Sequence, residues 1–129
     1  VGQIQAGILA LVAVERGDGE AQASRMLERI LGYRIFADDQ GRMNRSLKDT
    51  GGGLLLVSQF TLAADTASGM RAGFSGAATP EDGEREFSRL VEMARAAYSP
   101  VETGRFRTHM QVHLINDGPV TFHLRVAPA

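Results

Sequence analysis

Leu54-Leu55-Leu56-Val57-Ser58-Gln59-Phe60 is the stretch on which the fold turns. Four apolar residues in a row, passing into Ser58 and Gln59, read as a central strand whose far end turns polar. A polar, glycine-rich loop from Ser46 to Gly53 feeds it. Upstream, Gly7 to Val14 is the other run apolar and β-branched enough for a buried strand, and Gly17-Asp18-Gly19 breaks it. Asp18 then stands as the N-cap of a helix through about Leu31. Its apolar positions Ala23, Met26, Leu27, Ile30 and Leu31 share one face. Tyr33 to Phe36 reads as a short strand, followed by the turn Asp38-Asp39-Gln40-Gly41.

Downstream of the central strand, residues 63–79 are rich in small residues and carry Arg71, a segment too long for a plain connector. Thr79-Pro80-Glu81-Asp82 supplies an N-cap, a proline at the first helical position and acids in the first turn. The helix it opens places Phe87, Leu90, Val91, Ala94 and Tyr98 on one face, and Ser99-Pro100 closes it. Met110 to Ile115 and Val120 to Val126 alternate as two strands joined by Asn116 to Pro119. These patterns predict an α/β chain in the α+β sense. Its sheet is mixed and largely antiparallel, with two main helices, in a single domain over residues 1–129.

Composition narrows the chemistry. With no cysteine among 129 residues there is no disulfide framework, no thiolate nucleophile and no cysteine zinc site. No apolar run is long enough to span a membrane and no secretory leader is visible, so a cytoplasmic, membrane-free protein is expected. The net charge of −1 does not advertise a grip on duplex nucleic acid. Lys48 is the only lysine, and a local arginine patch suits an RNA end, although arginine bias from genome composition explains the skew equally well.

The usual catalysts are missing. His109, His113 and His123 are the only histidines, and none has metalloprotease spacing. No metal and no cofactor is expected. The acids sit in turns or helix starts, where backbone chemistry accounts for them. What is left is the strand end Ser58-Gln59-Phe60-Thr61. Unpaired N–H groups there would form an oxyanion hole, and Thr61 adds a hydroxyl able to act as nucleophile or orienter. Such residues at a strand end more often satisfy local backbone. Asn116-Asp117-Gly118-Pro119 is first of all a hairpin turn, and its Gly-Pro bond permits a cis corner.

Ser58-Gln59-Phe60-Thr61 and Asn116-Asp117-Gly118-Pro119-Val120-Thr121 resemble the two signature motifs of the D-aminoacyl-tRNA deacylases. The resemblance runs through Leu31–Phe36, Gly41–Asn44, Thr61–Asp65 and Thr103–Phe106, covering nearly the whole chain in order. It implies hydrolysis of the ester joining a D-amino acid to the aminoacyl-tRNA 3′ end, with glycyl-tRNA as a further substrate. It also implies the family's fold with a barrel-like core, and a cytosolic homodimer without DNA as a partner. Ser58, Gln59, Phe60 and Thr61 would line the ester site. A cis Gly118-Pro119 would enter the partner's pocket to exclude L-amino acids, and Phe106 and Met110 would lie near the terminal adenosine. A catalytically silent tRNA-binding relative and a small-molecule esterase using Thr61 are the alternatives. Members of this family begin with a further strand that includes an arginine supporting the Gly-Pro loop. Nothing before Val1 supplies it, so an exposed sheet edge is expected.

Overall fold

The computed structural model describes residues 2–128. Three strands form the main sheet: β1 (Gly7–Val12), β4 (Gly53–Ser58) and β5 (Val101–Thr103), in the order β1-β4-β5. Both pairings are parallel, with Ala10 opposite Leu56 and Leu56 opposite Thr103. The chain reaches β4 from β1 through α1 (Glu20–Gly32), and β5 from β4 through α3 (Pro80–Ala97). Successive crossovers that step the same way across a sheet and keep the usual right hand put their helices on one face. Here α1 and α3 do pack on each other. Between α1 and β4 lie a small antiparallel pair, β2 (Phe36–Ala37) and β3 (Met43–Arg45), and the one-turn helix α2 (Leu47–Thr50).

The core follows from these patterns. Leu54 and Leu56 of β4 and Val101 of β5 point into the helical layer. There they meet Leu27, Ile30 and Leu31 of α1 and Phe87, Leu90, Val91 and Ala94 of α3. Leu47, at the start of α2, is fully buried with them. Tyr98, just past α3, donates its hydroxyl to the Leu47 carbonyl at 3.2 Å and to the Gly52 carbonyl, tying the helix end to the loop that feeds β4.

The largely antiparallel, barrel-like expectation is corrected. The main sheet is parallel and open, and no closed barrel forms among the described residues. The physical reason lies in the connections, since each passage between main-sheet strands carries a helix, and helical crossovers join parallel strands. The two C-terminal strands are corrected as well. Residues 104–128 carry no strand, and no backbone–backbone ladder pairs 110–115 with 120–126 among the described residues. Alternation alone does not make a strand, because the main-chain groups also need a neighbour in register. This segment is held by side chains instead. Phe122 packs at a tilt on Tyr33, with ring centres 5.6 Å apart, and the Arg125 guanidinium forks onto the Glu15 carboxylate with two 2.8 Å bonds. His113 and His123 are both exposed.

Three smaller differences have local causes. Ser46–Gly53 is not all loop, because Ser46 and Asp49 cap each other and wind α2: the Asp49 N–H reaches Ser46 Oγ, and the Ser46 N–H reaches Asp49 Oδ2 at 2.8 Å. β5 went unread because it is only three residues long and follows Pro100 directly. Gly19, not Asp18, is the residue before α1, and the Asp18 carboxylate turns back to accept the Glu15 N–H at 2.8 Å.

That position has a measurable consequence. Burial pushes the Asp18 carboxyl above its ordinary range, with Glu15 and Glu86 adding to the effect. The Glu15 N–H bond and Arg125 oppose it. A carboxyl raised on folding binds its proton more tightly in the native state than in the unfolded chain. Its contribution to stability therefore falls as pH rises from the ordinary carboxylate range through the raised value, and is level above that. Asp18→Asn keeps an acceptor for the Glu15 N–H and removes the charge. Its melting temperature is expected to exceed that of the wild type near neutral pH, with the difference shrinking as the pH is lowered to about 3. Thermal melts across that range check this; a difference independent of pH would assign Asp18 a purely hydrogen-bonding role.

Candidate functional site

β4 ends at Ser58, and the chain then tightens into a 3-10 turn, Phe60–Ala63. The turn sits where it does because the Gln59 N–H, the last group able to continue the sheet, bonds the Val12 carbonyl of β1 at 2.7 Å. The Leu62 and Ala64 N–H groups bond back to Gln59 and Thr61. The Phe60 and Thr61 N–H groups, first in the turn, have no partner among the described residues. Two adjacent free donors at the carboxyl end of a parallel strand are what a developing oxyanion requires. Open α/β sheets also tend to bind ligands at that end of their strands.

Side chains around the turn are exposed. The Gln59 amide donates to Thr61 Oγ1, so the threonine hydroxyl is already engaged as an acceptor. No histidine or carboxylate touches it among the described residues. Phe60 is 63% exposed and packs at a tilt on Phe74, with ring centres 5.2 Å apart.

Phe106 and Met110 follow β5, at the end of the sheet where β4 stops. The Gly104 N–H bonds the Leu56 carbonyl at 3.1 Å, extending the β4–β5 pairing by one residue. A tight turn follows, in which Arg107 adopts φ 59° and Thr108 Oγ1 bonds the Arg105 carbonyl at 3.0 Å. It folds Phe106 back onto Phe87, 6.2 Å between centres, against the first turn of α3 at Gly83. Met110 Sδ comes to rest directly over Gly104 beside Val57, where a Cβ would meet it at 2.7 Å. That puts Met110 one residue from Ser58 along β4, whereas Phe106 is half buried in the core.

The Asn116–Thr121 loop stands apart. Gly118-Pro119 is cis. Asn116 organises the loop internally: its Oδ1 accepts the Val120 N–H at 3.2 Å and its Nδ2 donates to Thr121 Oγ1 at 3.0 Å. Among the described residues no hydrogen bond or aromatic contact links this loop to Ser58–Thr61. The structure thus brings Ser58, Gln59, Phe60, Thr61 and Met110 together and leaves Gly118 and Pro119 outside that group. No cluster of three or more His, Asp or Glu side chains among the described residues is arranged to hold a metal. Phe74 is the participant the sequence reading missed. Its closeness to Phe60 depends on the pairing of Asp65 with Gly73, two backbone bonds of 2.7 and 3.0 Å, which no periodicity announces.

Fold and site together define an α/β protein with a donor-lined, solvent-open turn at the end of a parallel strand. The family model described as D-Tyr-tRNA(Tyr) deacylase matches residues 1–125, and the chain belongs to that family. A D-aminoacyl-tRNA deacylase from Stenotrophomonas maltophilia (strain K279a) is 68% identical over 97% of this chain and 86% of its own length. One from Alkalilimnicola ehrlichii is 64% identical over 100% of this chain and 86% of its own. Among solved structures, a c-Myc DNA unwinding element binding protein is 34% identical with a TM-score of 0.91. That alignment covers 96% of this chain and 85% of the other.

Proposed function

We propose that this protein hydrolyses the ester of D-aminoacyl-tRNA, releasing a free D-amino acid and an intact tRNA. The observation that carries the reading is the pair of free N–H groups on Phe60 and Thr61, in a chain that matches the deacylase family over residues 1–125. Water adds to the ester carbonyl, and the oxyanion is held by the two amides. The C–O bond to the ribose then breaks, its oxygen leaving as the hydroxyl. The neighbouring 2′-hydroxyl of the RNA helps to activate the water. An aminoacyl ester is labile already, so positioning and amide dipoles suffice without a side-chain base or a cofactor.

Handedness is read, in this proposal, by the Asn116–Thr121 loop of a second copy entering the pocket. The lack of any hydrogen bond or aromatic contact between this loop and its own chain's turn, among the described residues, supports a homodimer. So do Leu114, Ile115 and Phe122, which a single chain leaves 60%, 93% and 49% exposed. Such a wedge excludes L-amino acids and admits D-amino acids and glycine. The reaction suits a cytosolic enzyme, and no helix among the described residues is long and apolar enough to cross a membrane.

Incubation with D-tyrosyl-tRNA and L-tyrosyl-tRNA tests this reading through release of each amino acid. Selective D release is expected. Binding with no release would make the protein a silent tRNA-binding relative, and equal release of both would make it an unselective esterase. Thr61→Ala is expected to keep kcat within about tenfold of wild type, because its hydroxyl has no base and already accepts from Gln59. Loss of a true nucleophile costs about 10⁴-fold or more. A folded, tRNA-binding variant with that deficit would reassign the chemistry to Thr61.

A further inference from the structure

Between the turn at Phe60 and the start of α3 lies a loop the proposed chemistry does not use. Asp65 and Gly73 pair through both backbone groups and close residues 66–72 into a compact projection. Phe74 follows that closure at once and returns to Phe60. Two aromatic rings are therefore held against each other on the surface, 63% and 41% exposed, with their planes at 47°. Arg71 sits at the end of the projection. No ion pair engages it among the described residues. The only carboxylate in the loop, Asp65, has one oxygen turned inward to the Ala67 N–H at 2.9 Å.

Exposed rings with an unpaired guanidinium three residues from one of them, next to a site that opens on solvent, have the composition of a single-stranded nucleic-acid platform. Aromatic faces stack bases, and arginine meets the phosphate between them. We propose that the Phe60–Phe74 pair stacks the base immediately 5′ of the terminal adenosine of the tRNA, with Arg71 on the intervening phosphate. This rests on the deacylase reading above, because it assumes that the RNA end lies over the Phe60–Thr61 amides. Continuity argues for this occupant: one ring of the pair belongs to a residue whose own N–H faces the ester. Phe74 is then a positioning residue, acting on where the RNA end lies rather than on the reacting carbonyl.

The test uses the full chain and two readouts. In the first, kcat and KM are measured with D-tyrosyl-tRNA and with D-tyrosyl-adenosine, which lacks the 5′ nucleotide. Phe74→Leu is expected to lower the preference for the tRNA ester over the adenosine ester about tenfold, chiefly through KM, and Phe74→Tyr to restore it. In the second, a CCA trinucleotide carrying 2-aminopurine in place of the middle base is titrated. Stacking should quench its fluorescence with wild type and Phe74→Tyr but not with Phe74→Leu. Equal losses on both esters, unchanged preference in Phe74→Leu, or no quenching by wild type would overturn the proposal. So would a change in dimer mass caused by Phe74→Leu, which would make the pair a contact between copies. Failure of wild type to release D-tyrosine from either ester, with quenching intact, would instead overturn the deacylase reading and leave the platform standing.

Discussion

Gly118→Ala is expected to lower kcat/KM for D-tyrosyl-tRNA about a hundredfold while leaving the melting temperature within about 2 °C of wild type. A methyl group at Gly118 would sit 2.5 Å from the Val120 amide nitrogen and 2.5 Å from Val120 Cγ2. The side-chain contact alone could be relieved by rotation of the valine. The backbone nitrogen cannot retreat that way, because its N–H is the donor that Asn116 Oδ1 holds at 3.2 Å. Relief therefore means opening the ring of bonds that Asn116 maintains across the loop. In the proposed dimer, where this loop enters the partner's site, a displacement of about an ångström beside the reacting centre costs on the order of a hundredfold in rate.

Stability should not register the change, because the loop is exposed and none of its residues belongs to the core cluster. Release of D-tyrosine and a thermal melt, run on the same preparation, measure both halves. Retained activity in a folded Gly118→Ala would remove the Asn116–Thr121 loop from the site. A narrowed preference for D over L at unchanged rate would confine the loop to chirality alone.

How much of this was readable beforehand depends on how far each feature depends on distant partners. Leu54–Val57 reads as a buried strand from local composition, and Thr79-Pro80-Glu81-Asp82 reads as a helix start because each residue meets the need of its own position. The structure begins α3 at Pro80 and caps it with Thr79 Oγ1 on the Asp82 N–H. Strand direction was not readable in the same way. It is set by which strands become neighbours, and it was misjudged even though the helical crossovers carried the clue. Val120, Phe122, Leu124 and Val126 alternate as a strand should, yet they form no ladder, since alternation specifies a face and not a partner. The turn at Ser58–Thr61 was legible as a polar strand end. That the Gln59 main-chain N–H is spent on Val12 while those of Phe60 and Thr61 stay free is tertiary information, and so is the meeting of Phe60 with Phe74.

Leu56→Ala is expected to destabilise the protein by about 3 kcal/mol without changing the rate per folded molecule. Leu56 is wholly buried at the middle of the central strand, with Ala10 of β1 on one side and Thr103 of β5 on the other. Its side chain enters the layer where α1 and α3 meet the sheet. Alanine leaves a void that neighbours held by two parallel ladders can close only in part. Domains of this size hold about 5–15 kcal/mol in all, so the loss is a large share of the total. Urea unfolding measures it as a lower midpoint at unchanged slope, and a loss under about 1 kcal/mol would mean that the sheet and helices close over the gap. Leu55→Ala, half buried on the opposite face, should cost less. Activity per folded molecule should survive in Leu56→Ala because the free amides of Phe60 and Thr61 are placed by the Gln59–Val12 bond and the 3-10 turn, both built from main chain. Gly118→Ala is expected to do the reverse, losing rate and keeping stability. Opposite outcomes at the two positions would separate the scaffold from the chemistry it carries, and a parallel loss of both properties in both variants would show that the loop and the core are one cooperative unit.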